Sequence, residues 1–356
     1  MHILITAIAF IFMLGLIVLV HEFGHFITAK KFGVYVHEFS IGMGPTLWSK
    51  QGKETKYSLR AIPIGGYVSM AGEDVNSDIE KDKNIEENRK FYTKKYYQKV
   101  IILIAGVAMN FILAIFIYSG LLMSEGSYYE PIPATISAIR EDSNAEQVGI
   151  LPGDVVINIT KEDGSSSVIS DFYDISLFTY DITNESLIYT IDRNGEILDF
   201  KVTPKYYEEE DDWLIGLQFE TDKEHTVTWY NSLYYGGKYA KDNFQQMIRS
   251  FKLLLQPKGY EMVSGPVGIV SITSQSVEYG LFSYLTLIAL INLNIGLVNL
   301  LPLPILDGGQ IVFITISKLM KKELPERIKS AIMVGSWALI LMLMVVITYK
   351  DLMNLI

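Results

Sequence analysis

Hydrophobic residues are concentrated in four long runs that polar segments separate. The runs cover residues 3–29, 100–123, 281 to about 306, and 331–349. At about 1.5 Å per helical residue, even the shortest run roughly matches the 30 Å hydrocarbon core of a bilayer. No Lys or Arg precedes the first run and no small-residue cleavage pattern follows it, so we interpret it as a retained transmembrane helix. The pattern predicts a polytopic α-helical membrane protein with about four transmembrane helices.

Short alternating runs punctuated by glycine follow the first span, between residues 33 and 72. This pattern predicts a β-hairpin. Because open sheet edges cannot face lipid, a hairpin this apolar is expected to dip between the helices as a membrane re-entrant loop. Its edge near residues 65–70 could then pair with an extended peptide. A plain cytosolic hairpin is the alternative.

The longest polar segment predicts one inserted α+β domain. Strand-like runs cover residues 134–139, 186–192, 197–203 and 213–219, and Asn194-Gly195 is typical of a hairpin turn. The run from Asp142 to Ile159 contains a short helical stretch, Gly-Ile-Leu-Pro-Gly-Asp and a strand. It resembles the PDZ fold, whose bacterial members carry this arrangement. A helical stripe of apolar residues follows between residues 228 and 256, with Gly236-Gly237 expected to bend or break it.

These patterns predict eight segments. They are a first transmembrane helix (1–29), a re-entrant β-loop and cytoplasmic loop (30–99), a second transmembrane helix (100–123), a PDZ domain (124–220), an extracytoplasmic amphipathic helical region (221–280), a third transmembrane helix (281–317), a cytoplasmic loop (318–330), and a fourth transmembrane helix (331–349).

Composition and charge agree with this organisation and orient it. The chain of 356 residues is 49% hydrophobic and has no cysteine, which excludes disulfides and thiolate metal sites. Residues 30–99 hold 13 Lys and Arg against 9 Asp and Glu, whereas residues 124–280 hold 11 against 26. Basic loops remain cytoplasmic, so the acidic domain is expected on the extracytoplasmic side of the membrane. The net charge of -10 argues against nucleic acid as a partner.

The candidate chemistry lies at the end of the first apolar run, where residues 21–25 read His-Glu-Phe-Gly-His. On a helix, His21 and His25 project from one face and can bind one metal ion, with Glu22 beside them as a candidate base. Ionisable residues inside a membrane are costly and usually functional. The pattern favours a zinc hydrolase centre over two histidines buried for structural reasons.

A catalytic zinc site usually has three protein ligands and one open position. The best candidate for the third ligand is Asp307, an isolated carboxylate that follows two prolines at the end of the third run. Spacing alone does not exclude His37. Two histidines and a carboxylate also accept iron or cobalt.

The joint order of these motifs resembles the site-2 protease family, in its bacterial PDZ-bearing branch, over nearly the whole chain. The motifs are HEFGH in the first span, GGYV in the hairpin, a PDZ insert, SGPVGI, and Asn299 followed by PLPILDGG. The resemblance implies zinc held by His21, His25 and Asp307, and Glu22 as the catalytic glutamate. It implies substrate contacts for Asn299 and for the hairpin, where we single out Gly65, Gly66 and Tyr67. AGVAMNF in the second span also matches the family, and we interpret it first as helix packing.

The resemblance further implies a zinc-dependent intramembrane endopeptidase of the bacterial inner (plasma) membrane, with the PDZ domain outside and the active site in the cytoplasmic half. Its expected substrates are single-span membrane proteins, such as anti-sigma factors or signal-peptide remnants, already shortened by another protease. A non-catalytic membrane PDZ scaffold is the alternative from another class. Metal transport is a third, weaker interpretation, because the spans lack a series of further ligands.

Overall fold

The computed structural model describes residues 2–73, 82–180, 182–221, 223–253, 265–322 and 325–353. The helices in these ranges are α1 (His2–Lys31), α2 (Tyr96–Glu125), α3 (Asn144–Gln147), α4 (Phe172–Thr179), α5 (Ser232–Leu253), α6 (Pro266–Tyr279), α7 (Leu281–Asn299), α8 (Asp307–Met320) and α9 (Glu326–Met353). The strands are β1 (Val36–Gln51), β2 (Lys56–Met70), β3 (Ser127–Tyr129), β4 (Ile136–Ile139), β5 (Val155–Lys161), β6 (Ser166–Val168), β7 (Leu187–Arg193), β8 (Glu196–Val202), β9 (Lys205–Tyr207), β10 (Asp212–Leu214), β11 (Leu217–Phe219) and β12 (Glu224–Thr226). Parts of the predicted cytoplasmic loops (74–81 and 323–324) and of the predicted amphipathic region (222 and 254–264) lie outside the described residues.

The chain forms two compact units. The first comprises residues 1–124, 232–244 and 258–356, and the second residues 125–231 and 245–257. In the described part of the first unit, four helices are long and apolar enough to cross a membrane, namely Ile3–Lys31, Tyr96–Glu125, Leu281–Asn299 and Ser330–Asp351. Four long apolar helices, as the sequence predicted, are therefore present in this part of the chain.

The third span is shorter than predicted. Its helix α7 ends at Asn299, whereas the sequence predicted a helix to about residue 306 within a segment 281–317. Pro302 and Pro304 lack the N–H groups that a helix needs, so residues 300–306 form turns instead. A separate helix, α8, then begins at Asp307. The proline-rich break thus places Asp307 at a helix start.

The strands β1 and β2 each bend back on themselves, and together they form a small sheet. Ile41 pairs with both Gly66 and Leu59, and Ser49 in the second half of β1 pairs with Ser58. The order across the sheet is therefore 66–70, 36–41, 56–59 and 48–51. Positive φ angles at Gly42 (83°) and Gly65 (86°) allow the two bends. The predicted hairpin is thus a four-strand arrangement, and residues 66–70 form one edge of it.

Apolar side chains of this sheet pack against α1 and α2. Val36, Phe39, Val68 and Met70 form a buried cluster with Ala29, Ile102 and Leu103. Helix α6 packs against α1, α7 and α9 in the same unit. Residues 221–280, which the sequence predicted as an amphipathic helical region, contain a strand, β12, and the helices α5 and α6.

Helix α5 continues through Gly236 and Gly237, where the sequence predicted a bend or a break. A Cβ atom at Gly236 would lie 2.1 Å from Ser119 Oγ of α2. The absence of a side chain at Gly236 therefore permits α5 and α2 to pack closely. This packing offsets the low intrinsic helix propensity of glycine.

The second unit has a sheet in the order β6-β5-β7-β8 and a β4–β11 pair. The predicted turn at Asn194-Gly195 joins β7 and β8, and both residues have positive φ, 54° and 92°. The strand predicted at residues 213–219 is divided into β10 and β11, and Gly216 with φ 88° makes the turn between them. Ala145, Ile159, Phe178 and Tyr189 belong to the apolar core of this unit.

Candidate metal centre

Three potential metal ligands from distant parts of the chain meet in the first unit. His21 and His25 lie one turn apart on α1, and their Nε2 atoms are 3.1 Å from each other. Asp307 brings its Oδ2 atom to 3.2 Å from His21 Nε2 and 3.4 Å from His25 Nε2. The exposed fraction is only 9% for His21 and 6% for His25. The three atoms form a compact, nearly equilateral triangle that is shielded from solvent.

The size of this triangle fits a tetrahedral zinc ion. Ligand atoms at about 2.05 Å from such an ion lie about 3.3 Å from one another, close to the three distances observed. Asp307 Oδ2 is buried and receives no well-aligned hydrogen bond within the described residues. Two imidazole nitrogens and one carboxylate oxygen form a donor set typical of catalytic zinc, which leaves a fourth position open.

His37, which spacing alone did not exclude as a ligand, lies elsewhere. Its Nε2 atom is 2.7 Å from Asp82 Oδ1, and the other oxygen of Asp82 accepts a hydrogen bond from the backbone N–H of Gly72. His37 therefore takes part in a contact beside the end of β2. The structure favours Asp307 as the third ligand.

Glycines let the helices approach closely enough to form the triangle. A Cβ atom at Gly106 of α2 would lie 2.4 Å from His25 Nε2 and 2.8 Å from His21 Cε1. A Cβ atom at Gly308 would lie 2.3 Å from the carbonyl oxygen of Leu300. The glycine after Asp307 thus lets the turn at residues 300–306 fold tightly against the start of α8.

The outer nitrogens of both histidines face polar groups. His25 Nδ1 is 2.8 Å from the carbonyl oxygen of Ile102, so Nδ1 donates the hydrogen bond and Nε2 keeps its lone pair. His21 Nδ1 is 3.3 Å from the side-chain amide of Asn110. The geometry at His25 therefore suits metal binding through Nε2.

A cavity of about 400 Å³ opens onto the three ligands. Val68, in the edge strand of the sheet, lines the cavity together with Glu22. The structure brings all eight residues predicted for the site to the lining of this cavity, which are His21, Glu22, His25, Gly65, Gly66, Tyr67, Asn299 and Asp307.

A polar network holds Tyr67 at the cavity. The Arg60 guanidinium donates a hydrogen bond of 2.5 Å to the Tyr67 hydroxyl and one of 2.8 Å to Glu38 Oε1. Another Arg60 nitrogen donates to the carbonyl oxygen of Gly44 at 2.7 Å. Arg60 thus ties the edge strand to the neighbouring parts of the sheet.

Comparison with known proteins identifies the family. The model of peptidase family M50 matches residues 9–343. The chain belongs to peptidase family M50. A protein of Clostridium acetobutylicum with the provisional name zinc metalloprotease is 34% identical, and the match covers 98% of this chain and 97% of that protein. Zinc metalloprotease RasP of Oceanobacillus iheyensis is 30% identical, with 98% and 99% covered.

Membership of the M50, or site-2 protease, family confirms three predictions. The protein is a zinc metalloendopeptidase, its metal is zinc, and its four long apolar helices make it a multi-pass membrane protein. A non-catalytic scaffold and a metal transporter are thereby set aside. Zinc bound between His21, His25 and Asp307 would supply a Lewis acid for peptide hydrolysis.

Three polar residues at this site were not predicted from the sequence, namely Glu73 and Gln310, which line the cavity, and Asn110. Glu73 lines the cavity just after β2 ends. Asn110 is fully buried beside His21, although its motif was interpreted first as helix packing. A polar residue inside an apolar span was the available signal for Asn110. Glu73 had no such signal, because it lies in a strongly polar part of the sequence.

Proposed function

We propose that this M50 peptidase cleaves peptide bonds within or near the transmembrane segments of single-span membrane proteins. The observation that carries the proposal is the triangle of His21, His25 and Asp307 beside Glu22, in a unit whose four long helices suit a bilayer. His21, His25 and Asp307 would hold the zinc ion, which would supply a Lewis acid that lowers the pKa of water and polarises a carbonyl.

Glu22 is the proton carrier in this proposal. It lines the cavity beside the ligand triangle. Glu22 accepts a proton from the attacking water and delivers it to the leaving amine. One water molecule is thereby divided between the new carboxyl end and the new amino end of the cut peptide. The same residue then returns to its starting ionisation state.

The edge strand at residues 66–70 is the proposed substrate platform. A helical substrate hides its carbonyls in internal hydrogen bonds, so it must unwind before hydrolysis. Pairing with the open edge at Gly66 and Tyr67 replaces those bonds. Asn299, at the end of α7 on the same cavity, contributes a further amide for positioning the peptide. Substrates with helix-weakening residues should be preferred.

The second unit is proposed as a PDZ domain that binds the new C-terminus of a substrate trimmed by another protease. A groove of about 310 Å³ lies between α4 and β11, lined by Phe172, Ile175, Gly216 and Phe219 among others. An apolar groove beside a strand suits an extended peptide. The charge distribution supports an orientation with this unit outside the bacterial inner membrane and the metal centre in the cytoplasmic half.

The test uses the purified full chain in detergent with a tagged single-span substrate whose outer domain has been trimmed. Wild type is compared with Glu22→Gln, Asp307→Asn and Ser119→Ala, the last being a control away from the cavity. We expect cleavage by wild type and Ser119→Ala only, and loss of cleavage with a zinc chelator. Equal cleavage by Glu22→Gln and wild type would contradict the assigned mechanism.

A further inference from the structure

Asn110 of α2 makes a buried polar contact with His21. Its exposed fraction is 0%, and its side-chain Nδ2 atom is 3.3 Å from His21 Nδ1. Buried amides rarely lack hydrogen bonds, yet Asn110 Oδ1 has no partner within the described residues. The contact lies on the side of the imidazole that faces away from Asp307.

A histidine that binds metal through Nε2 must have its proton on Nδ1, and Nδ1 then needs an acceptor. His25 meets this requirement through the carbonyl oxygen of Ile102 at 2.8 Å. If the Asn110 Nδ2 group donates a hydrogen bond to His21 Nδ1, then Nδ1 carries no proton. The His21 proton is then on Nε2, the nitrogen that faces Asp307. A half-turn of the Asn110 amide places its unpartnered Oδ1 atom at His21 Nδ1 and provides the acceptor.

We propose that Asn110 is a positioning residue that holds His21 in the tautomer able to bind zinc. The inference rests on the proposed role of His21 as a zinc ligand. Asn110 is not among the residues that line the cavity. It acts by orienting the imidazole and fixing the place of its proton, as carboxylates and carbonyls do behind other zinc-bound histidines.

The backbone of Asn110 is itself anchored. Asn292 of α7, also 0% exposed, donates a hydrogen bond of 2.5 Å from Nδ2 to the Asn110 carbonyl oxygen. A Cβ atom at Gly296 would lie 3.0 Å from Phe111 and 3.6 Å from Asn110 Cβ, so α2 and α7 are closely packed at this level. The helix that carries Asn110 therefore has little freedom to shift relative to His21.

The experiment measures zinc affinity of the full chain in detergent by competition with a chelator. Asn110→Asp keeps an acceptor at this position, whereas Asn110→Leu keeps the approximate size and removes it. His21→Ala tests the ligand assignment, and Ser119→Ala is a control for loss of a buried polar group on the same helix. The melting temperature of each zinc-free protein reports on folding independently of the metal.

We expect Asn110→Leu to weaken zinc binding by about 10- to 100-fold and Asn110→Asp to remain within about threefold of wild type. His21→Ala should lose tight zinc binding, and Ser119→Ala should keep it. If His21→Ala binds zinc normally, the ligand assignment fails and the inference with it. Two results would overturn the role of Asn110 while leaving the ligand assignment intact, provided that His21→Ala loses zinc. One is wild-type zinc affinity in Asn110→Leu, and the other is an equal loss of affinity in Asn110→Asp and Asn110→Leu.

Discussion

A methyl group added at Gly106 would enter the space that the two histidine rings occupy. The Cβ atom of Gly106→Ala would lie 2.4 Å from His25 Nε2, 2.6 Å from His25 Cε1 and 2.8 Å from His21 Cε1. Ordinary carbon contacts are about 3.5 Å or longer, so the rings or the helix must move by about 1 Å. The His25 ring cannot move away without cost, because its Nδ1 atom is hydrogen-bonded to the carbonyl oxygen of Ile102, on the same helix as Gly106.

A movement of this size exceeds what a zinc site tolerates, since ligand distances vary by only about 0.2 Å. A misplacement of about 1 Å at a catalytic centre costs on the order of 100-fold in rate. We expect Gly106→Ala to lower zinc affinity by about 100-fold or more, which corresponds to about 2.7 kcal/mol. Helix formation itself should not suffer, because alanine is favoured over glycine in a helix by about 1 kcal/mol.

The assay compares Gly106→Ala with Gly120→Ala, a substitution on the same helix at a position with no neighbouring atom within 4 Å. Zinc retained after dialysis against a graded chelator series, cleavage of the single-span substrate, and the melting temperature of the zinc-free protein are measured on the full chain. Gly120→Ala should match wild type in all three. If Gly106→Ala binds zinc and cleaves within about threefold of Gly120→Ala, α1 and α2 can separate without disturbing the ligands and the reasoning is refuted.

Two further predictions concern the substrate edge and the second unit. A Cβ atom at Gly66 would lie 2.7 Å from the carbonyl oxygen of Ser40, so Gly66→Ala should distort the edge strand. We expect this variant to cleave substrate about tenfold or more slowly while its zinc content stays normal. The control is Gly15→Ala, whose added Cβ has no neighbouring atom within 4 Å, and unchanged cleavage by Gly66→Ala would count against a role of the edge strand. The Arg193 guanidinium hydrogen-bonded to Asp154 lowers the pKa of that carboxyl, and Asp154 is 1% exposed. Because the folded-state pKa is lowered, the pair stabilises the unit above about pH 4 and this contribution is lost as the pH falls through the folded-state value. Asp154→Asn should therefore destabilise the second unit by about 1–3 kcal/mol at pH 7 and by less in acid. Hydrogen exchange of β5 and β7 in the full chain measures this loss of stability. A stability difference between the variant and wild type that does not change with pH would contradict the ion-pair explanation.

Local pattern was sufficient for the elements of this fold. An apolar run long enough for a bilayer forms a helix because only internal hydrogen bonds satisfy its backbone in lipid. Spacing of four on that helix places His21 and His25 on one face, and Asn194-Gly195 makes a turn because both residues accept positive φ. These properties depend on neighbours within a few residues, so they can be read before the tertiary structure is known.

The shape of the small sheet depended on contacts that local pattern does not contain. Alternation predicted strands at residues 34–70, but it did not reveal that β1 and β2 both bend, which places 66–70 at the edge and 36–41 inside. Packing of the sheet against α1 decides which strand segments pair with each other. A bent strand shows the same alternation of apolar and polar residues as two straight strands, so the alternation does not reveal the bend. The identification of 65–70 as an edge was nevertheless made from sequence.

The sequence by itself determined the chemistry of this protein: the pair of histidines, the neighbouring glutamate, an aspartate after a proline-rich break, and spans that suit a membrane. Only the tertiary structure decided how these groups meet. It brings Asp307 to the histidine pair, places Gly106 where any larger residue would strike the rings, and sets Asn110 behind His21. These relations join residues that are far apart in the chain, and their distances follow from close packing of whole helices, which no local periodicity encodes.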